Sequence, residues 1–567
     1  MDEAKRPLRN EPGAPARAPL TARLAGLFAG CFVAYLAAMW LAARAGIEAI
    51  GGHVTPFYAT YRPCYGTLAI PLAVLALGAV VWWALTRVRA ERPVSCLYPP
   101  AAAAIAAGCA VGATGLSLWL GNRAAHLEFG RALSLGWLFL RRHAAAVVLV
   151  AALLSAAAVV FRGNGRAEAR PSGRATAAFL AGLVVFAFLF PGVIATLRDG
   201  NAGIADAYSR APVEYIGDIG RGGSIRGLFR EYCAIHDTLS MHSKVHPPGP
   251  VALLWMLSWL VGAGPLALSI ATMAVGALAV IPLFLWAREL AGTRVALLCC
   301  ALYALMPSVV LFTATSADIL FTPFALLALF LFDRAIRRRS IPCAAAAGAV
   351  YAVLSLLSFN LLALGAYFAV AGVWFLRTPA TRVNVAVTAA AMATAFLAFH
   401  GIVYLWSGFD AIECFRLAKA QFDADQARLV ASEGRWPVWA WKGVNPACWF
   451  YFAGIPVSVL WVWRMLRPEP PAAPGPTGPG PTGSRPADTR ALFIVFALTL
   501  AAFDLLYLGR GEGERSALYL FPFLALPAAH LLAQHARADG SPRPVLATLG
   551  FLAFQCWFTE MHFYTYW

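Results

Sequence analysis

The chain has 567 residues, of which 60% are hydrophobic and only 13% charged, and its mean hydropathy is +0.67. So apolar a composition excludes an ordinary soluble protein and makes the lipid bilayer its solvent. The formal charge of +17 does not point to nucleic acid, because the arginines sit in short loops beside apolar segments, where they set topology.

An Arg-rich tail precedes the first apolar stretch, Ala22 to Gly46, which is too long for a signal-peptide core and reads as an uncleaved anchor. Further spans are predicted over 66–87, 98–120, 144–161 and 174–197. With the tail inside, Arg87, Arg89 and Arg92 fall inside, as do Arg162, Arg166, Arg170 and Arg174. The loop with Arg131, Arg141 and Arg142 is the exception and lies outside. On this count the polar stretch from Arg198 to Pro248 is extracytoplasmic.

Counted from the other end, Arg334 to Arg339, Arg377 to Arg382 and Arg464 to Arg490 all belong inside. Asp318, the loop 407–447 and the segment 509–515 are then outside. The two counts agree only if one apolar stretch fails to cross. The stretch 249–263 is short for a span and is assigned as re-entrant or partly embedded. Between Arg467 and Asp488 a run of Pro, Gly, Thr and Ala forms a cytoplasmic linker. The chain is thus expected to be an all-α polytopic membrane protein of the plasma (inner) membrane with about 15 transmembrane helices. Four regions are expected: a tail and four-span module at 1–173, a membrane core at 174–465, a linker at 466–490 and C-terminal helices at 491–567. Most of the 11 cysteines, such as Cys31, Cys109, Cys299 and Cys300, lie in apolar runs without paired spacing, so neither a zinc site nor a disulfide framework is expected.

Chemistry is expected in the outer loop 198–248, far richer in ionisable groups than the rest of the chain. From Ser224 to Val245 the residues Ile225, Leu228, Phe229, Tyr232, Ile235 and Leu239 recur at helical spacing after Gly222-Gly223-Ser224, predicting an interfacial helix whose apolar face lies on the bilayer. Arg226 and Arg230, four apart, are placed to grip a phosphate or to snorkel to headgroups. Asp199, Glu214 and Asp218 are the carboxylates placed to act as a general base, each with a salt-bridged loop residue as the alternative. His242 and His246, also four apart, suit substrate binding; a divalent metal shared between them is left open, with His236 as a helper and no third ligand fixed by spacing. In the loop 407–447, Asp410, Glu413, Asp423, Asp425, Arg428, Arg435 and Lys442 lie among Trp436, Trp439 and Trp441, which suits sugar rings or an interfacial belt. Glu512 and Arg515, at the edge of the membrane, must be paired or used.

These residues resemble the GT-C superfamily of polyprenyl-phosphate-dependent glycosyltransferases, in particular the family related to protein mannosyltransferases and the aminoarabinose transferase of lipid A. His246-Pro247-Pro248-Gly249-Pro250-Val251-Ala252-Leu253-Leu254-Trp255 is similar to the opening of the helix that follows the acidic outer loop in that family. The stretch Gly262 to Asp333, with Ala287-Arg288-Glu289-Leu290-Ala291-Gly292 and Ser316-Ala317-Asp318, is similar to the helices after it. Gly511 to Arg515 with Leu518 to Pro522 resembles the Gly-Glu-x-x-Arg element of actinobacterial mannosyl- and arabinosyltransferase-like members. The departure is at the first acid, where Arg198-Asp199-Gly200 stands in place of an Asp-Glu pair.

The resemblance implies a GT-C-like fold with interfacial helices in the large outer loop, and inverting transfer on the extracytoplasmic face. The donor would be a polyprenyl-phosphate sugar and the acceptor a lipid, glycan or protein. Asp199 or Glu214 would be the base, with Arg226, Arg230 and Arg515 near phosphate. The rivals are a transporter or flippase of a lipid-linked solute and a polymerase or ligase of surface polysaccharide. A transporter keeps ionisable groups at mid-membrane, where Asp504 is the main candidate.

Overall fold

The computed structural model describes residues 20–44, 129–161, 172–433, 438–466, 489–506, 515, 517–538 and 540–562, and every regular element among them is a helix. In chain order these begin with α1 (Leu20–Arg44), α2 (Phe129–Phe161), α3 (Gly173–Asp199) and α4 (Ala202–Ser209). The outer loop contributes α5 (Ile225–Glu231) and α6 (Met241–Lys244). Next come α7 (Gly249–Val261), α8 (Pro265–Ala277), α9 (Val280–Ala291), α10 (Thr293–Ala304), α11 (Pro307–Thr313), α12 (Thr322–Arg338), α13 (Ile341–Leu357) and α14 (Gly365–Leu376). The remainder are α15 (Pro379–Ser407), α16 (Ala411–Glu433), α17 (Val438–Phe452), α18 (Ile455–Leu466), α19 (Thr489–Leu506), α20 (Pro522–Ala538) and α21 (Arg543–His562).

Six of the described helical segments are long and apolar enough to cross a membrane, or up to eight if each of two bent pairs counts as one span. The predicted spans 66–87 and 98–120, and most of the linker, lie outside the described residues. The expected stretches 22–46 and 174–197 appear as α1 and α3. At 13 residues, α7 is about 20 Å long, short of a perpendicular crossing of a roughly 30 Å hydrocarbon core.

One expectation is corrected beside α3. The predicted outer loop with Arg131, Arg141 and Arg142 is instead continuous helix within α2. The Arg142 Nη1 donates to the Thr196 carbonyl at 2.9 Å, so its guanidinium serves the last turn of α3, where carbonyls lack intrahelical partners.

Two of the helix pairs are sharply bent: α10 to α11 by 53°, and the end of α17 to α18 by 112°. Hydrocarbon offers no water to the backbone groups such a break releases, so side chains must supply partners. At the second break, Gly454 has φ +96°, a left-handed conformation that suits glycine. Gln555, buried on α21, closes it: its Oε1 accepts from the Ile455 N–H at 2.8 Å and its Nε2 donates to the Tyr451 carbonyl at 2.9 Å. Replacing Gln555 by Leu strands both backbone groups and is expected to lower stability by about 3 kcal/mol, read as a fall in the midpoint of thermal unfolding in detergent.

The core is aromatic around one buried acid. Asp333 of α12 accepts from Trp286 Nε1 of α9 and from the Tyr367 hydroxyl of α14, both at 2.7 Å. Phe496 of α19 and Phe523 of α20 pack their rings against Trp286 and Tyr367. Asp333 Oδ2 thereby ties α9, α12 and α14 together, and the ring packing extends the cluster to α19 and α20.

Candidate active site

The site is built from the loop between α3 and α7. Its two arms are stitched by backbone bonds: the Met241 N–H donates to the Pro212 carbonyl at 3.1 Å and the His242 N–H to the Val213 carbonyl at 2.9 Å. That pairing sets Glu214 opposite His242. The Glu214 Oε2 lies 3.0 Å from His242 Nδ1, a hydrogen bond in the tautomer that carries its proton there, and Oε1 accepts from Arg210 at 3.1 Å. The side chains of Glu214 and His242 are 12% and 15% exposed, so the pair is sheltered but reachable.

Asp218 has a different part. It is fully buried, its Oδ1 paired with Arg221 Nε at 2.7 Å and its Oδ2 accepting the Ser240 N–H at 2.9 Å. Arg221 continues the clamp through Nη2 to the Thr238 carbonyl at 2.8 Å. These bonds fasten the turns of the loop, and full burial keeps the carboxylate from contact with solvent. Tyr232 adds a further tie, its hydroxyl donating to the Ser243 carbonyl at 2.9 Å and to that of His246 at 3.2 Å.

This network corrects the predicted interfacial helix. Ser224 does cap a helix start, its side chain accepting the Gly227 N–H at 3.0 Å. The helix stops at Glu231 and gives way to a 3-10 turn, His236–Thr238, and then α6. Side chains such as His236, whose Nε2 bonds the Lys244 carbonyl at 2.9 Å, compete for the backbone. Nor does the apolar face lie on lipid: Leu228, Phe229 and Tyr232 are buried, with the Phe229 ring against Trp406 and Phe409. Arg226 and Arg230 are exposed, and Arg230 pairs with Glu231 at 2.7 Å.

A second centre comes from the break after α11. The Ser269 hydroxyl donates to the Ala314 carbonyl at 3.1 Å, and Ser316 Oγ accepts the Asp318 N–H at 3.1 Å, opening a 3-10 turn, Ala317–Phe321. Asp318 there meets Arg515, with Oδ2 to Nε at 3.0 Å and side chains 17% and 11% exposed. Tyr208 and Tyr215 are each within electrostatic reach of both Glu214 and Asp318. The Tyr215 ring is buried beside His242 and His246, at centroid distances of 5.8 and 5.7 Å. Burial, reinforced by Asp318, pushes its phenol well above the usual range, so it stays protonated and able to donate.

Of the residues predicted from sequence, the structure thus brings Glu214, His242, His246 and Arg515 into one region, and places Arg226 and Arg230 on its surface. Asp199 ends α3 immediately before the loop, but its side chain is not among the described ones. Arg435 and Glu512 lie outside the described residues. Among the described residues no group of three or more His, Cys, Asp or Glu is placed to hold a metal ion. Asp318, Tyr208 and Tyr215 were missed as candidates; the signals for Asp318 were its expected place on the outer side and the stretch Ser316-Ala317-Asp318.

The loop 407–447 is also largely helical, as α16 and the start of α17. Asp410 Oδ1 caps α16 by accepting the Ile412 and Glu413 N–H groups at 2.9 and 3.0 Å. Asp423 and Asp425 pair with Lys419 and Arg428 along its surface. These acids of α16 therefore serve capping and local helix pairs, while Lys442 of α17 donates to the Asp504 and Leu505 carbonyls of α19.

Residues 245–406 match the family model described as dolichyl-phosphate-mannose-protein mannosyltransferase. No curated protein matches the chain. The matched stretch opens one residue before His246-Pro247-Pro248 and contains Asp318, while Glu214 and Arg515 flank it. The chain is thus a membrane protein built of apolar helices, of which residues 245–406 are similar to a family of membrane glycosyltransferases.

Proposed function

We propose that the enzyme transfers a sugar from a polyprenyl-phosphate carrier to an acceptor hydroxyl on the extracytoplasmic face, with Glu214 as general base and Arg515 beside the leaving phosphate. The observation that carries this reading is the sheltered Glu214–His242 pair, set near the Asp318–Arg515 pair. Glu214 takes the proton of the acceptor hydroxyl while that oxygen attacks the anomeric carbon. The bond from that carbon to the phosphate oxygen breaks, and the carrier phosphate leaves with the electron pair. Arg515, oriented by Asp318, meets the charge that develops there, an electrostatic contribution that is usually large. The His242 imidazole orients the carboxylate, and the protonated Tyr215 beside it offers a donor. Arg226 and Arg230, at the surface, suit the carrier phosphate before it enters. Arg435 and Glu512 remain candidates for the sugar or acceptor side, which is a lipid, glycan or protein.

The test is transfer of radiolabelled sugar from a panel of polyprenyl-phosphate sugars to a membrane extract, using sealed vesicles of known orientation. Arg515→Gln is expected to lower transfer by about 10²- to 10³-fold without loss of folded protein. Transfer from no carrier in the panel, or transfer only when the donor is confined to the cytoplasmic side, sinks the proposal.

A further inference from the structure

Two cysteines that their spacing leaves unrelated meet in the structure. Cys233 follows α5 and is half-buried, and Cys414 lies in the first turn of α16 and is buried. The Asp410 carbonyl joins them, accepting the Cys414 N–H at 3.0 Å and facing the Cys233 sulfur at 3.9 Å. One carbonyl oxygen thus gathers the two side chains into the same small region, where each thiol perturbs the titration of the other. Contacts that do not involve sulfur hold these elements in place. The Phe229 ring meets Phe409 edge-on at 5.4 Å, and Gly408, at φ +76°, turns the chain from α15 towards α16. Two cysteines gathered at one carbonyl oxygen, on elements fixed by other packing, meet the first requirement of a disulfide, a close approach of the two chains.

We propose that Cys233 and Cys414 form a disulfide that staples the loop bearing Glu214 and His242 to α16. It rests on the reading that this face is extracytoplasmic, where disulfides persist. The oxidant is a protein disulfide of that compartment, acting by thiol–disulfide exchange. The Cys233 thiolate attacks one donor sulfur, giving a mixed disulfide and a donor thiolate. Cys414, deprotonated in turn, attacks the Cys233 sulfur and expels the second donor thiolate. Two protons leave the cysteines, and two electrons pass to the donor, which ends as a dithiol. The neighbouring Cys414 holds the Cys233 thiol below its usual range and is itself pushed up, which suits Cys233 to the first attack.

The experiment alkylates the full-length protein in intact cells with N-ethylmaleimide before lysis, then maps the purified chain by non-reducing digestion and mass spectrometry. The expected result is one linked peptide pair containing Cys233 and Cys414, with two further thiols open to a maleimide polymer after reduction. Cys233→Ser and Cys414→Ser should each abolish the linked pair. Recovery of both residues alkylated in the wild type overturns the proposal, and treatment of the purified protein with oxidised glutathione then locates the failure. A link that forms only in this treatment overturns the extracytoplasmic placement, whereas no link under either condition overturns the inferred approach of the two thiols. Neither outcome bears on whether Glu214 takes the acceptor proton, which the transfer assay reads separately.

Discussion

Replacing Glu214 by Gln is expected to lower sugar transfer by about 10²- to 10⁴-fold while leaving the protein folded. The change preserves shape and keeps an amide oxygen that accepts from Arg210, but removes the basic oxygen pair and its charge. His242 loses its carboxylate partner and must present its other tautomer to the new amide, so its orientation is disturbed with it. The site is partly open and lies at the edge of the bundle, so little stability is at stake. The same change at Asp218 is expected to act differently. Asp218→Asn removes the charge paired with Arg221 in a fully buried setting, so it should loosen the loop and lower its resistance to proteolysis along with activity. The discriminating measurement is transfer rate against thermal midpoint for Glu214→Gln, Asp218→Asn and Asp199→Asn together. Full activity in Glu214→Gln with loss in a well-folded Asp199→Asn would move the base to Asp199.

Gly249→Ala is expected to be among the most damaging single-methyl changes in the protein, lowering stability by about 3 kcal/mol. Gly249 opens α7 against the backbone of α13, and an added Cβ would overlap the Leu356 carbonyl oxygen and carbon. A side chain can rotate away from such a clash, but a helix backbone cannot, so α7 and α13 must separate. The first turn of α7 is buried through Gly249, Pro250, Val251 and Ala252, and only Pro247 and Pro248 separate it from His246. Separation would therefore displace His246 and the Tyr215 ring beside it, and activity should fall together with the thermal midpoint. Gly182→Ala is the control, since an added Cβ there meets nothing within 4 Å. Equal midpoints for the two variants would refute the close-approach argument.

The solvent of this protein and its helical class were legible in the residues themselves. A chain with 60% hydrophobic residues belongs in lipid, where helices satisfy their own backbone groups. His246-Pro247-Pro248-Gly249 marked the start of the helix where the family match begins, and Ser224 marked a helix start that the structure keeps. Tertiary structure alone decided which acid is sheltered beside a histidine and which ties the turns of the loop. Glu214 and Asp218 are four positions apart in one polar stretch, and only the backbone pairing of 212–213 with 241–242 turns the first to His242 and lets the second be enclosed. The Asp318–Arg515 pair and the meeting of Cys233 with Cys414 join segments far apart in the chain, and no local pattern encodes them. The helix breaks at 305–306 and 453–454 were hidden for a related reason. Hydrophobic periodicity reports which face of a helix leaves water, and in a bilayer the lipid-facing and protein-facing sides are both apolar, so position and partner are settled by packing.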